Sequence, residues 1–188
     1  MDKILITGGT GLVGKHLQNI LPEAIYVSSS AYDLTQESEV KEMMIDFRPD
    51  VVVHLAARVG GIVDNINHPV DYLEENVLMN TNVLKASHEF DVNRVVAILS
   101  TCIYPDKVDT YPMVEEDLFN GPPTPSNFSY GFAKRCMAAH IDSYVKQYDK
   151  KWSYLIPCIY MVNTINMKNI IVILYLHLLK RFTRLMIR

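Results

Sequence analysis

Tyr130 and Lys134 are the residues whose types and spacing most directly suggest acid–base chemistry. They stand four residues apart in YGFAK, and on a helix this separation places both side chains on one face. A phenol titrates near pKa 10, and a neighbouring ammonium group stabilises the phenolate. We therefore predict a proton-transfer pair in which Lys134 lowers the pKa of Tyr130, although two surface residues of an ordinary helix fit the same spacing.

Two further candidates, Ser100 and Cys102, lie upstream of this pair, directly after an apolar run. Ser100 could donate a hydrogen bond to a carbonyl group that Tyr130 protonates while hydride arrives from a nicotinamide. Lys134 would also hold the nicotinamide ribose. Cys102, taken alone, fits a small buried apolar residue better than an acid–base group.

A glycine-rich segment, TGGTGLVG, follows the first apolar run of the chain. Gly8, Gly11 and Gly14 fit the three needs of a dinucleotide-binding turn, which are a residue without Cβ, close approach to a diphosphate, and close helix–strand packing. The helix that follows would offer unpaired N–H groups to the phosphates. The predicted contacts of this turn are Gly8, Gly9, Thr10, Gly11, Leu12, Val13 and Gly14.

The type of dinucleotide is predicted from the end of the second strand, about 20 residues further on. An NAD site usually has Asp or Glu there, but this chain has Ser28, Ser29 and Ser30, which do not repel a 2′-phosphate. We therefore expect NADP. Asp33 lies just beyond and has two interpretations, a hydrogen bond to the adenine amino group or a helix N-cap.

The elements that would position these groups alternate along the first 157 residues. The predicted strands are residues 3–7, 24–28, 51–57, 94–100 and 152–157. The predicted helices are residues 12–21, a helix capped by Thr35 that ends before Pro49, residues 69–90 and residues 127–148, with a long irregular loop at 102–127. This alternation predicts an α/β fold with a doubly wound parallel sheet of the Rossmann type.

Composition restricts the class of protein. The chain has 188 residues, of which 49% are apolar, and this supports one domain with its own core. Its net charge of -3 lacks the basic excess of a nucleic-acid binder or a polybasic membrane protein. Cys102, Cys136 and Cys158 form no CxxC pair, so we expect neither a disulfide framework nor a metal site. With no signal peptide at the start of the sequence, we expect a cytoplasmic protein.

Several segments together resemble the extended short-chain dehydrogenase/reductase family: TGGTGLVG, HLAA at 54–57, STCIYP at 100–105, and YGFAK. A finer resemblance is to the GDP-L-fucose synthases, also called GDP-4-keto-6-deoxy-D-mannose 3,5-epimerase-4-reductases. It is carried by AARVGGI, STCIYPD, NGPPTPSNFSYGFAKR and the helix around Asn76, and it extends from residue 1 to about Cys158.

This resemblance implies two reactions in one pocket. The family inverts two carbons of GDP-4-dehydro-6-deoxy-D-mannose and then reduces the ketone with NADPH to give GDP-L-fucose. Tyr130 would be the proton donor, supported by Lys134 and Ser100, and Cys102 would be one of two acid–base groups for epimerisation. Besides the glycine turn and Asp33, the implied cofactor contacts are Leu34, Ala56, Lys134 and Pro157. The family also implies a homodimer in which helices 69–90 and 127–148 pair.

Residues 159–188 depart from that family. The family's Pro-x-Asn-x-Tyr-Gly turn, its HSH-x-I-P segment with the second epimerisation base, and its GDP-sugar lobe have no match here. Residues 150–188 carry seven Lys or Arg and no Asp or Glu. Their apolar run at 170–179 is shorter than the roughly 17–25 residues of a transmembrane helix. If the codons are read in a frame shifted by two bases, suitable synonymous codons give strings that resemble the family's continuation. We therefore predict that residues 159–188 are an out-of-frame tail that follows an NADP-binding domain at residues 1–158. We also predict little synthase activity from this chain.

Two other functions remain open. One is a different nucleotide-sugar epimerase or dehydratase, although a dehydratase would carry an acidic residue where Thr101-Cys102 follows Ser100. The other is a non-catalytic dinucleotide-binding or interaction module. NADPH binding without turnover would support the second of these.

Overall fold

The computed structural model describes residues 2–108 and 111–157. The strands are β1 (Ile4–Thr7), β2 (Ile25–Val27), β3 (Val51–His54), β4 (Arg94–Ile98) and β5 (Ser153–Leu155). The α-helices are α1 (Leu12–Gln18), α2 (Glu37–Phe47), α3 (Ile62–Asn67), α4 (Pro69–Glu89) and α5 (Phe128–Tyr148). Short 3₁₀ turns cover Thr101–Ile103, Glu115–Phe119 and Pro125–Asn127.

The five strands form one parallel sheet in the order β2-β1-β3-β4-β5. All four residues of β3 are buried, as expected for a parallel strand covered on both faces. One hydrophobic cluster includes Leu5 and Val52, and the alternate residues Ile6 and Val53 belong to a second cluster. The predicted doubly wound α/β fold is confirmed.

The order of the strands places a crevice above the sheet. From β1 the chain moves outward to β2 and then returns to place β3 on the other side of β1. In a parallel sheet, loops that leave the two sides of such a point diverge, and ligands bind beyond the carboxyl ends of the strands there. The turn after β1 therefore lies where a ligand is expected.

The start of α2 differs from the prediction. The helix begins at Glu37 after Gln36, so Thr35 is not its N-cap, and Asp33 is not either. The carboxylate Oδ1 of Asp33 instead accepts the backbone N–H of Thr35 at 3.0 Å and its hydroxyl at 2.8 Å. This local turn competes with helix formation and delays the first helical residue.

Other boundaries also differ. Helix α1 ends at Gln18, ahead of Pro22, rather than at residue 21. Helix α3 was not predicted. Ile62 and Val63 are 63% and 72% exposed, so this short helix does not have the buried apolar stripe that a helical sequence pattern reflects. The predicted irregular loop at 102–127 contains the 3₁₀ turns Glu115–Phe119 and Pro125–Asn127, and the turn Thr101–Ile103 begins one residue before it.

The predictions for the tail, including the apolar run at 170–179 and Cys158, lie outside the described residues. Within residues 2–108 and 111–157, no helix has both the length and the apolar character needed to cross a bilayer. The same part of the chain holds no group of three or more His, Cys, Asp or Glu side chains placed to bind a metal ion.

Candidate active site

A groove of about 570 Å³ lies over the carboxyl ends of the strands. It is lined by Gly8 after β1, Ser28 after β2, Ala56 after β3 and Leu99 after β4. This volume falls in the range of about 300–1,000 Å³ that is common for small-molecule and cofactor sites. The groove therefore occupies the position that the sheet topology predicts for a ligand.

The glycine turn forms the floor of the groove at β1. Gly8 has φ +70°, and a Cβ there would lie 2.8 Å from the backbone N of Ala56, so no other residue fits without displacing the end of β3. A Cβ on Gly14 would lie 2.7 Å from the carbonyl oxygen of Gly8. Gly11 is the N-cap of α1. The turn therefore packs tightly against the protein backbone on one side, and the start of α1 borders the groove on the other.

The groove brings together most of the residues predicted from the sequence. Those that line it are Gly8, Thr10, Gly11, Leu12, Val13, Gly14, Asp33, Leu34, Ala56, Tyr130 and Lys134. Those that do not are Gly9, Ser100, Cys102 and Pro157. A Cβ on Gly9 would meet Tyr26 of β2 at 2.7 Å, so this glycine allows the turn to pack on the neighbouring strand.

The end of β2 supplies hydroxyl groups to the groove. Ser28 and Ser29 line it, and the hydroxyl oxygens of Ser28 and Ser30 lie 2.8 Å apart. Asp33 is exposed and lines the same region while its Oδ1 holds the turn at Thr35. The contact of Asp33 with adenine stays a prediction.

Lys134 is a buried amine at the opposite end of the groove. Its side chain is almost fully enclosed, and its Nζ donates a hydrogen bond to the carbonyl oxygen of Ile98 at 2.9 Å. Burial lowers its pKa to about 8, because the charged form loses its hydration. The Nζ also lies 5.9 Å from the ring centroid of Tyr130.

Tyr130 differs from the prediction in its protonation. Burial raises the pKa of its phenol to about 12, and the nearby Cys102 adds to that shift. The predicted low pKa of Tyr130 is wrong, because desolvation of the phenolate raises the pKa and Nζ of Lys134 is hydrogen-bonded to Ile98. The phenol therefore keeps its proton at neutral pH and is available as a proton donor.

Ser100 and Cys102 approach the pair from the end of β4. The hydroxyl oxygen of Ser100 accepts the backbone N–H of Cys102 at 3.3 Å. A Cβ on Gly131 would lie 2.8 Å from the carbonyl oxygen of Cys102, so the 3₁₀ turn packs directly on α5 beside Tyr130. Cys136, in contrast, is exposed.

A hydrogen-bonded chain beneath the groove fixes the end of β3. His54 is fully buried, with Nδ1 2.8 Å from the hydroxyl of Thr7 and Nε2 3.0 Å from Oδ1 of Asn80. Burial, and next the charge of Lys134, lower its pKa to about 4. The ring is neutral, and the backbone N–H of Ala56 donates to the same Thr7 hydroxyl at 3.3 Å.

The sequence did not identify Arg58 and Glu75 as lining residues. The guanidinium of Arg58 donates to Glu75, and the amide of Asn76 pairs with the backbone of Arg58 through bonds of 3.0 and 3.1 Å. This bridge holds the loop after β3 against α4. The sequence signal for this part of the groove was the glycine pair after AARV. Such a pair indicates a loop, but it does not show that the loop contacts α4.

A sequence profile of the NAD dependent epimerase/dehydratase family matches residues 4–162. The chain belongs to this family. Among curated relatives of the chain, a probable GDP-L-fucose synthase of Drosophila melanogaster is 41% identical over 84% of this chain and 51% of its own length. The GDP-L-fucose synthase of Dictyostelium discoideum is 40% identical, with 82% and 50% covered. The predicted similarity to GDP-L-fucose synthases is confirmed.

Solved structures of epimerase/dehydratase relatives show the same fold. A GDP-L-fucose synthetase from Naegleria fowleri bound to NADP superposes with a TM-score of 0.74 at 38% identity, covering 83% of this chain and 53% of that one. A GDP-mannoheptose C4 reductase from Campylobacter jejuni with NADP bound gives 0.78 at 27% identity, with 82% and 50% covered. The chain spans about half the length of the curated relatives it matches.

Proposed function

We propose that residues 2–157 form the NADP(H)-binding and proton-donating part of an enzyme that converts GDP-4-dehydro-6-deoxy-D-mannose to GDP-L-fucose. One observation carries this proposal. A single groove joins the glycine turn of β1–α1 to Tyr130 and Lys134 of α5. These are the two ends that a hydride-transferring site needs, and the relatives named above are GDP-L-fucose synthases.

The residues present fit NADP(H). The compressed glycine turn leaves the start of α1 bordering the groove, where a diphosphate would meet the free N–H groups of Leu12 and Val13. Ser28 and Ser29 provide hydroxyls without a carboxylate at the place expected for a 2′-phosphate. The Lys134 amine would bind the nicotinamide ribose. When bound, NADPH would supply the hydride.

Side chains of this chain would carry out the proton transfer. The Tyr130 phenol keeps its proton at neutral pH and would donate it to the ketone oxygen as the ketone is reduced. Lys134 would stabilise the resulting phenolate from one turn along the helix. The Ser100 oxygen accepts the N–H of Cys102, which leaves its O–H free to donate to the same ketone.

Cys102 would serve as one acid–base group for epimerisation. The hydrogens on the carbons next to the ketone are acidified by it, so a thiol suits their removal. The contact of the Cys102 turn with α5 supports this role by placing the residue beside Tyr130.

The family's second base has no counterpart in the sequence after Pro157. We therefore propose that residues 159–188 are an aberrant tail and that this polypeptide alone turns over slowly or not at all. We also propose that the protein is cytoplasmic, and that it forms a homodimer through α4 and α5.

A chimera tests this function. Residues 158–188 are replaced by the corresponding continuation of the Drosophila relative, and NADPH oxidation is followed with the keto sugar in D₂O. We expect the original chain to give little product and the chimera to give GDP-L-fucose labelled at both epimerised carbons. Tyr130→Phe in the chimera should slow reduction by about 100-fold or more.

Three results would contradict the proposal. A chimera that binds NADPH but neither exchanges deuterium nor reduces the sugar would contradict the assigned reaction. Reduction without deuterium incorporation would indicate a C4 reductase instead. Full activity of the original chain would refute the proposed defect of the tail.

A further inference from the structure

Helix α4 carries three buried asparagines. Asn76, Asn80 and Asn82 are all buried, although asparagine is a poor helix former and a buried amide is costly unless it is hydrogen-bonded. Each one holds a different segment near the groove. Asn76 binds the backbone of Arg58, and Asn80 lies beside the His54 ring. Asn82 holds the loop after β2.

The contacts of Asn82 are specific to that loop. Its Nδ2 donates two hydrogen bonds of 3.0 Å, one to the carbonyl oxygen of Leu34 and one to that of Thr35. Both residues precede α2, so their carbonyls are not part of the α2 hydrogen-bond ladder. Leu34 and Thr35 line the groove, whereas Asn82 does not. Asn82 therefore has no direct contact with the groove and is linked to it by hydrogen bonds to this turn.

The same turn is held from its other side by short-range bonds. Asp33 accepts the N–H and the hydroxyl of Thr35, and the backbone N–H of Asp33 donates to Glu39 at 2.6 Å. These local bonds set the shape of the turn but do not attach it to the rest of the domain. The Leu34 side chain attaches the turn to the hydrophobic core, and the amide of Asn82 supplies hydrogen bonds to its backbone across 47 and 48 residues of sequence.

We propose that Asn82 is a positioning residue for the adenosine half of the dinucleotide. This inference rests on the proposed NADP(H) function. Without the amide, two backbone carbonyls lose their donor and the turn at Leu34 and Thr35 shifts relative to β2. The nicotinamide end lies beyond β4, three strands from β2, or about 14 Å at the usual strand spacing. That end should be unaffected.

Fragments of the cofactor separate the two ends. Binding of adenosine 2′,5′-bisphosphate is measured by calorimetry, and binding of reduced nicotinamide mononucleotide by its own fluorescence, on the full chain. We expect Asn82→Ala to weaken the adenosine fragment about 10-fold, equivalent to about 1.4 kcal/mol, and to change the nicotinamide fragment less than about twofold. Asn82→Asp keeps the size but replaces the donors with a carboxylate that the two carbonyl oxygens repel, so it should weaken the adenosine fragment at least as much.

The matched control is Val83→Ala, a buried neighbour on α4 whose truncation weakens the core packing but leaves both hydrogen bonds to the turn in place. It should leave both affinities unchanged at a temperature where the variants are folded. Equal weakening of both fragments by Asn82→Ala, or no weakening of either, would overturn the role of Asn82. Failure of the unsubstituted chain to bind either fragment would instead overturn the proposed NADP(H) site.

One further measurement needs no variant. In hydrogen–deuterium exchange on the unsubstituted chain, adenosine 2′,5′-bisphosphate should protect the amides of residues 33–37, and reduced nicotinamide mononucleotide should not. Absence of that protection while the fragment is bound would contradict the proposal even if every Asn82 variant failed to fold.

Discussion

At the scale of single residues, the site combines a buried amine with a phenol that stays protonated. Lys134 has a pKa of about 8, lowered by burial, and its hydrogen bond goes to a neutral carbonyl. A charge in that position costs folding free energy, because burial removes the hydration of the ammonium group. We therefore expect that Lys134 lowers the free energy of unfolding while it serves the function of the groove.

Replacing Lys134 by Met should stabilise the fold at pH 7. The folded pKa lies below the unfolded value of about 10.4, so the unfolded chain binds the proton more tightly and the penalty is complete below pH 8. We expect a gain of up to about 3 kcal/mol in the free energy of unfolding, measured with urea. The penalty should shrink from pH 8 to pH 10. Destabilisation by Lys134→Met at pH 7 would contradict this account.

Because His54 is buried as a neutral imidazole, we predict that the fold loses stability in mild acid. Burial, and then Lys134, lower its folded pKa to about 4, below the unfolded value near 6.5. The unfolded chain therefore binds more protons between these values, and stability falls as the pH drops from 6.5 to 4. The stability of the chain relative to His54→Gln should decrease by about 2–3 kcal/mol over that window in urea titrations. A constant difference between the two chains would argue against a buried neutral imidazole.

At the scale of elements, the close contact between α5 and the Thr101–Ile103 turn controls the geometry of the site. Gly131 allows this contact, since a Cβ there would lie 2.8 Å from the Cys102 carbonyl oxygen and 3.0 Å from Cβ of Pro123. Backbone atoms cannot move aside as a flexible side chain can. The glycine therefore holds Cys102 and Tyr130 together, at the cost of a poor helix former inside α5.

Gly131→Ala should destabilise the fold despite the higher helix propensity of alanine. Propensity alone would stabilise the helix by about 1 kcal/mol, and the clash should exceed that gain. Ala139→Gly, at an exposed position of the same helix, is the matched control and should cost about 1 kcal/mol. Thermal and urea unfolding measure both. An increase in stability with Gly131→Ala would show that the helix and the turn are not in tight contact.

The order of the elements and the glycine turn could be predicted because both depend on local signals. Alternating apolar runs identified the strands, and glycines at fixed spacing identified the turn that Gly8 makes with its positive φ. The pKa of Tyr130 could not be predicted, because it depends on how deeply α5 is buried. Likewise, the bonds from Asn82 to Leu34 and Thr35 join residues 47 and 48 apart, which no local pattern reveals.

At the scale of the whole molecule, α4 and α5 pack on each other and still expose apolar side chains. Val70 and Leu73 lie on one face of α4, and the rings of Phe128 and Phe132 on α5 lie 4.5 Å apart with both residues exposed. Clustered exposed apolar residues of this kind are typical of association surfaces.

These surfaces support the proposed homodimer. Sedimentation velocity should show a dimer at micromolar concentration, and Leu73→Lys together with Phe132→Lys should shift it to monomer without unfolding it. Ile45→Lys, on the exposed side of α2, is the control and should leave the dimer intact. A monomer in the unsubstituted chain, or a dimer that survives both charged substitutions, would contradict pairing through α4 and α5.

The central claim is that one cofactor spans the groove from the glycine turn to Lys134. The most direct test is the affinity for NADPH, followed by nicotinamide fluorescence, of the original chain, Lys134→Met and Lys146→Met, the last being an exposed lysine of the same helix. We predict binding by the original chain, equal binding by Lys146→Met, and binding at least about 10-fold weaker by folded Lys134→Met. No binding by the original chain, or equal affinity in all three, would contradict the account.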